Sequence, residues 1–177
     1  MTAFISSNLT VIVNIQDCWS GKNPKMGLEL VQSAPISEET WEIWFETWLK
    51  KLYPNAIASD SYELSLRLTD DQEIQWFNHQ YRQKNEPTDI LAFAALEGNF
   101  PQPFTEDPLY LGDLIISVET ALKQAQEQQH SLTVELAWLA THGLLHLLGW
   151  DHPDAESLEL MLSQQKNLLQ AVLIAYS

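Results

Sequence analysis

A chain of 177 residues that is 45% hydrophobic and carries seven Trp, six Phe and five Tyr is one domain, long enough to bury a real core. Its formal charge of −15, from 9 basic and 24 acidic residues, argues against broad nucleic-acid binding by phosphate neutralisation; a local site stays open, because screening confines exposed charges to about 8 Å and a bound dication reverses the sign around itself. A single cysteine, Cys18, excludes an internal disulfide and argues against thiolate metal ligation. The start lacks a basic signal-peptide region, and Glu135 and the histidines interrupt the longest apolar run, so no membrane association is expected and the cytoplasm is the expected compartment.

Leu9–Ile15 alternates and is rich in β-branched residues, which predicts a strand. Residues 19–36, with Gly, Pro, Asn and Ser, read as a loop. Ser37 then caps a helix with Glu38 and Glu39 in its first turn, where negative charge suits the dipole. Its stripe, Trp41, Trp44, Phe45, Trp48, Leu49 and Leu52, has the spacing of core packing. Tyr62, Leu64, Leu66 and Leu68 alternate with polar residues in a half-buried strand, and Thr69 or Asp70 caps a helix running to about Tyr81. Residues 83–88 form a polar turn, Ile90–Ala95 a short strand, and 97–108 a Pro-rich loop able to border a site. Leu109–Val118 reads as a strand, Glu119 to about Gln129 as a helix, Ser131–Leu148 as a buried helix, and roughly Asp154–Ala175 as a last helix with Leu158, Met161, Leu162, Leu168, Leu169 and Val172 on its apolar side. Interleaved strands and helices predict an α/β or α+β layer around one sheet.

Three of the five histidines fall in the segment His142-Gly143-Leu144-Leu145-His146-Leu147-Leu148-Gly149-Trp150-Asp151-His152. On a helix, His142 and His146 share one face about 5–6 Å apart at Cβ. Two such rings converge on one ion at Zn–N distances of about 2.0–2.1 Å. Gly149 suits a left-handed helix end, after which the chain doubles back and brings up His152. A lone His-x-x-x-His pair is more often an ordinary core pair. The glycine and the third histidine turn that reading towards a metal, and three ligands with an open fourth position describe a catalytic zinc site.

Arg82 and Lys84 place two of the nine basic residues at a helix end. Arginine is shaped for bidentate phosphate contact, although a cap answering the helix dipole explains the same residues. His79 reads as a solvated helix residue and His130 as a loop or cap residue. Asp89 and Asp113, beside strands, are either partners of a metal-bound imidazole or turn and cap residues. Asp151 is the stronger candidate for such a partner or for acid–base work, being next to His152.

The block His142–His152 resembles the H-G-x-L-H-L-x-G-Y-D-H signature of the YbeY family of bacterial rRNA maturation factors, which are zinc-dependent endoribonucleases. Asn78, Tyr81-Arg82, Lys84 and Pro87-Thr88-Asp89-Ile90-Leu91 are similar to the family's N-x-x-Y-R-x-K-x-x-P-T-D-V-L-S-F stretch. Gly112-Asp113-Leu114-Ile115-Ile116-Ser117, then Ala121 and Gln124-Ala125, are similar to its G-D-I-x-I-S segment and following helix. These blocks stand in the family's order over roughly Leu64 to Met161, the core of a single domain spanning residues 1–177, while the first sixty residues match weakly. The resemblance implies a single α+β domain whose small mixed sheet packs against a zincin-like metal helix. It also implies one Zn2+ per chain held by His142, His146 and His152, and Arg82 in the place of a functionally important arginine. Ala92, Ala94 and Trp150 depart from the family's Ser, Pro and Tyr; the two alanines read as changes in strand packing, and Trp150 loses a hydroxyl.

The implied substrate is single-stranded RNA, with rRNA foremost, small-subunit ribosomal proteins as further partners, and no DNA. The spacing also resembles that of metzincin peptidases, but those carry a general-base glutamate where this chain has Gly143, so a peptidase ranks below a nuclease. A rival from another class is a non-catalytic ribosome-assembly factor with a structural zinc, whose acidic surface docks basic ribosomal proteins.

Overall fold

The computed structural model describes residues 9–19, 36–52, 59–97 and 107–176. Most of the loop expected over 19–36, and residues 98–106 of the loop expected over 97–108, lie outside the described residues. In chain order the elements are β1 (Thr10–Asp17), α1 (Glu38–Leu52), β2 (Ser61–Thr69), α2 (Asp71–Arg82), β3 (Ile90–Ala94), β4 (Leu109–Ser117), α3 (Val118–Gln128), α4 (Leu132–Leu147) and α5 (Ala155–Ala171). The four strands form one mixed sheet in the order β1-β2-β4-β3. β1, β2 and β4 run parallel, and β3 pairs antiparallel with β4 at the edge. The class is α+β.

Side-chain alternation decides which face each strand buries. Tyr62, Leu64, Leu66 and Leu68 of β2 are fully buried in the main core. All six stripe residues of α1 join them there, and the indole Nε1 of Trp48 donates to Leu168 O of α5 at 3.0 Å. α4 packs on β3 and β4 through residues such as Leu144 and Leu147. α2 covers a smaller cluster of Ile74, Leu91 and Ile115, with Phe77 and Phe93 packed against it.

Helix ends follow local chemistry. Asp70, Ser117, Ser131 and Asp154 each accept from a backbone N–H in the first turn of the helix they open. Asp71 ties α2 to α3, its carboxylate accepting from Ser117 Oγ (2.6 Å), Thr120 Oγ1 (2.6 Å) and Lys123 Nζ (2.8 Å). Burial works against ionisation of Asp71, but the bonds from Lys123, Ser117 and Thr120 outweigh it and hold the carboxyl below its ordinary range. The last helix stops at Ala171, short of the expected Ala175. Leu173 takes a left-handed conformation (φ 63°), Ile174 N–H bonds Leu169 O at 3.0 Å, and the chain turns so that Tyr176 stacks on Trp138 at 3.9 Å. Stacking and closure of the helix end replace a further turn. Leu158, expected on the apolar side, is 38% exposed in the first turn of α5, one turn before Met161 enters the core.

β4 also contains an irregularity that matters for the site. The register against β2 slips between Glu63 and Leu64, so Leu111 has no partner and Gly112 sits opposite Leu64. Gly112 has φ +133°, and a Cβ there would lie 2.1 Å from Phe93 O and 3.0 Å from Ala95 N. Backbone atoms cannot step aside as a side-chain tip can. Gly112→Ala is therefore expected to cost about 3 kcal/mol or more, from strain plus steric clash. A urea midpoint close to that of the unsubstituted protein would contradict this.

Candidate metal centre and its cleft

His142 and His146 stand one turn apart at the end of α4 with their Nε2 atoms 3.0 Å apart. The helix closes behind them: Gly149 has φ +90°, its N–H bonds His146 O at 3.0 Å, and Trp150 N–H bonds Leu145 O at 3.0 Å. These are the paired bonds of a Schellman end, and they reverse the chain. His152 then comes up with its ring 5.5 Å from that of His142 and 5.3 Å from that of His146, centroid to centroid. One ligand nitrogen from each of the three lies within 4.8 Å of the others.

The outer nitrogens decide what the inner ones offer. His146 Nδ1 is 2.9 Å from Trp150 O, which only accepts, so Nδ1 carries the proton and Nε2 presents a lone pair. His142 Nδ1 is 3.1 Å from Gln165 Oε1, and the other end of that amide donates to Trp138 O at 3.3 Å, which fixes which end faces the ring. His142 Nε2 therefore also presents a lone pair. Two lone pairs 3.0 Å apart make no hydrogen bond with each other, and a shared cation answers both. Burial holds both imidazoles below the usual histidine range, in His142 against the Gln165 bond and in His146 with help from the neighbouring His142. Neutral imidazoles are the form that ligates a metal. By this chemistry the donor set fits a divalent ion such as zinc.

The centre opens on a cleft of about 770 Å³. Arg82 and Lys84 line it together with His142 and His146, so the expected arginine and two of the expected ligands share one cavity. Arg82 is not a cap on its own helix: its Nη2 donates to Ala92 O of β3 at 3.0 Å, and its guanidinium carbon lies 5.7 Å from the centre of the Phe93 ring. Buried Asn78 donates to Glu86 O at 2.9 Å and so shapes the turn that presents Lys84. Ala92 and Ala94 line the cleft, so their departure from Ser and Pro changes the wall of the site as well as the packing of the strand.

None of the three aspartates makes a hydrogen bond to a ring of the cluster, although Asp89 and Asp151 both line the cleft. Asp89 accepts from Ile90 N (2.7 Å), Thr88 Oγ1 (3.3 Å) and Gln124 Nε2 (3.1 Å), the bonds of a turn residue. Asp113 takes the hydroxyl of Tyr110 at 2.8 Å. Asp151 accepts from His152 N at 2.8 Å, which fixes the returning backbone, and it also lines the cleft. His79 is exposed, while His130 pairs its Nε2 with buried Glu135 Oε2. The partners that orient the ligand rings are Gln165 and the carbonyl of Trp150, and neither was expected from the sequence. Gln165 did leave a signal: it is a polar residue, fully buried, on the same face of α5 as Met161, Leu168 and Leu169. Gln165→Leu is expected to weaken zinc binding about 10- to 100-fold with the fold retained; competition against a chromophoric chelator measures it, and an unchanged affinity would remove the orienting role.

The residue after His142 is Gly143, where a peptidase of this spacing would carry its general-base glutamate. A Cβ there would lie 2.6 Å from both Ile90 Cδ1 and Leu114 Cδ2, so any larger residue needs those two side chains to shift.

An α+β domain in which one helix end and the loop behind it gather three imidazoles that could hold a metal, beside a cleft wall that carries Arg82 and Lys84, defines a candidate three-histidine centre. The chain belongs to the YbeY family: residues 29–173 match the family described as Endoribonuclease YbeY. A protein of that name from Trichormus variabilis is 53% identical over 169 residues, covering 92% of this chain and 94% of the relative. One from Trichodesmium erythraeum is 55% identical over 168 residues, covering 90% and 92%. A Thermotoga maritima protein solved in solution matches with a TM-score of 0.54 at 22% identity, over 92% of this chain and 89% of that one, a likeness of fold.

Proposed function

We propose that this chain is a zinc-dependent endoribonuclease that cleaves single-stranded RNA in the maturation of small-subunit rRNA. The observation that carries this is the pair of imidazole lone pairs 3.0 Å apart on a cleft whose wall also holds Arg82. Family membership at over 50% identity supports the same reading.

His142, His146 and His152 would hold one zinc ion, which supplies Lewis acidity at a phosphodiester. The protein's own groups do the rest. Trp150 O and Gln165 hold two of the ligand rings in the tautomer that binds. Arg82, steadied by Ala92 O and the Phe93 ring, sets its planar fork to take the non-bridging phosphate oxygens as charge builds on them. Lys84 adds positive charge to the same wall.

The rest of the surface, in a chain of formal charge −15, suits docking on basic small-subunit ribosomal proteins, an arrangement that brings RNA to an otherwise repulsive molecule. Among the described residues no helix is long and apolar enough to cross a membrane, and the proposed compartment is the cytoplasm, where rRNA is matured. Stripping the metal with a chelator is expected to stop cleavage of a single-stranded rRNA fragment, and restoring zinc alone to bring it back. Cleavage that survives stripping would remove the metal dependence, and folded, zinc-restored protein that cleaves nothing would leave the assembly-factor reading in its place.

A further inference from the structure

α2 carries a line of aromatic rings on its outer side that the metal centre does not use. Trp76 is 54% exposed and Tyr81 65% exposed. Their rings are not isolated: Trp76 meets Phe77 edge-on at 5.0 Å, Phe77 stacks on Tyr81 at 6.3 Å, and Tyr81 meets Phe93 at 5.3 Å. Phe93 in turn lies under the Arg82 guanidinium. The line therefore begins at a residue of the cleft wall and runs outward along the helix. Large exposed aromatic side chains in a row mark a surface that something else covers.

Charge says what covers it. In a chain with 24 acidic residues, Ile74 to Asn85 contains none, and this stretch carries Arg82 and Lys84. Its other exposed members, such as His79, Gln80 and Gln83, are uncharged in this count. Asp113, across the ladder from Phe93, already takes the Tyr110 hydroxyl. Aromatic faces beside Arg82 and Lys84, on a stretch of chain that itself holds no carboxylate, match a flexible polyanion with flat bases better than they match a basic protein.

We infer that Trp76 and Tyr81 form a stacking platform for unpaired bases of a single-stranded RNA, holding the strand beside the scissile phosphate at Arg82. The inference rests on the endoribonuclease reading and adds the element that selects single strands: a base exposes its face to Trp76 or Tyr81 only when it is out of a duplex.

The test is binding of a fluorescein-labelled single-stranded RNA about 12 nucleotides long, within the span of one or two stacking sites. It is read by anisotropy in a His146→Ala background so that cleavage does not compete. Trp76→Ala with Tyr81→Ala is expected to weaken binding about 30-fold. Trp76→Phe with Tyr81→Phe keeps the flat faces and should stay within about threefold of the parent, whereas Trp76→Leu with Tyr81→Leu, apolar but not flat, should fall as far as the alanines. Unchanged affinity in the alanine pair would overturn the platform and hand this face to a protein partner. So would full affinity in the leucine pair, since any apolar contact would then serve. Failure of the wild type to cleave RNA is a separate result: it removes the proposed function, while the binding comparison still decides the platform.

Discussion

Alanine at His146 is expected to abolish RNA cleavage, lowering the rate by more than about 100-fold, and to leave the protein without stoichiometric zinc. Loss of a group that merely orients a ligand costs about 10- to 100-fold in affinity or activity, and removal of the ligand itself exceeds that. His146 supplies one of the two Nε2 lone pairs that face each other at 3.0 Å, so its removal also leaves His142 with no converging neighbour on its own helix. The fold should persist, because the apolar part of α4 is buried by Leu136, Ala140, Leu144 and Leu147 and does not depend on the ring. Metal analysis, a cleavage assay and circular dichroism on the same sample check all three statements. Zinc retained at one per chain together with full cleavage would sink the three-histidine centre.

Arg82→Ala is expected to lower kcat about 10²- to 10³-fold, the usual scale for removing one donor aimed at developing negative charge. Zinc content should be unchanged, since Arg82 makes none of the contacts that orient the ligand rings. Stability should move by only about 0.5 kcal/mol, as for an exposed side chain. Arg82→Lys separates charge from shape: lysine brings the charge without the fork, and it cannot keep the guanidinium packed over Phe93. Full activity in Arg82→Lys would show that a point charge suffices and that the bidentate contact is wrong.

Much of this protein was written in local pattern. The α1 stripe, the alternation of β2 and the caps at Ser37 and Asp70 each depend on residues within a few positions of one another, and the structure places them as the spacing predicts. The metal segment is legible for the same reason. His142, Gly149 and His152 lie within eleven residues, so helix geometry and one glycine bring the rings close without help from the rest of the chain.

Partners distant in sequence were not legible. Gln165 reaches His142 only because α5 packs across α4, and Arg82 reaches the cleft only because β3 lies at the sheet edge beside β4 rather than next to β2. Asp89 stood in the sequence as either a partner for an imidazole or a turn residue, and the fold gives its carboxylate to Ile90 N and Gln124. By itself, then, the sequence determined the elements, the three-histidine cluster and the family, because short-range periodicity and spacing carry that information. Only the tertiary structure decided which side chains orient the rings, which wall faces the metal and where the aromatic line emerges. Those depend on strand order and on helix packing between residues 23 to 120 positions apart, where no local pattern reaches.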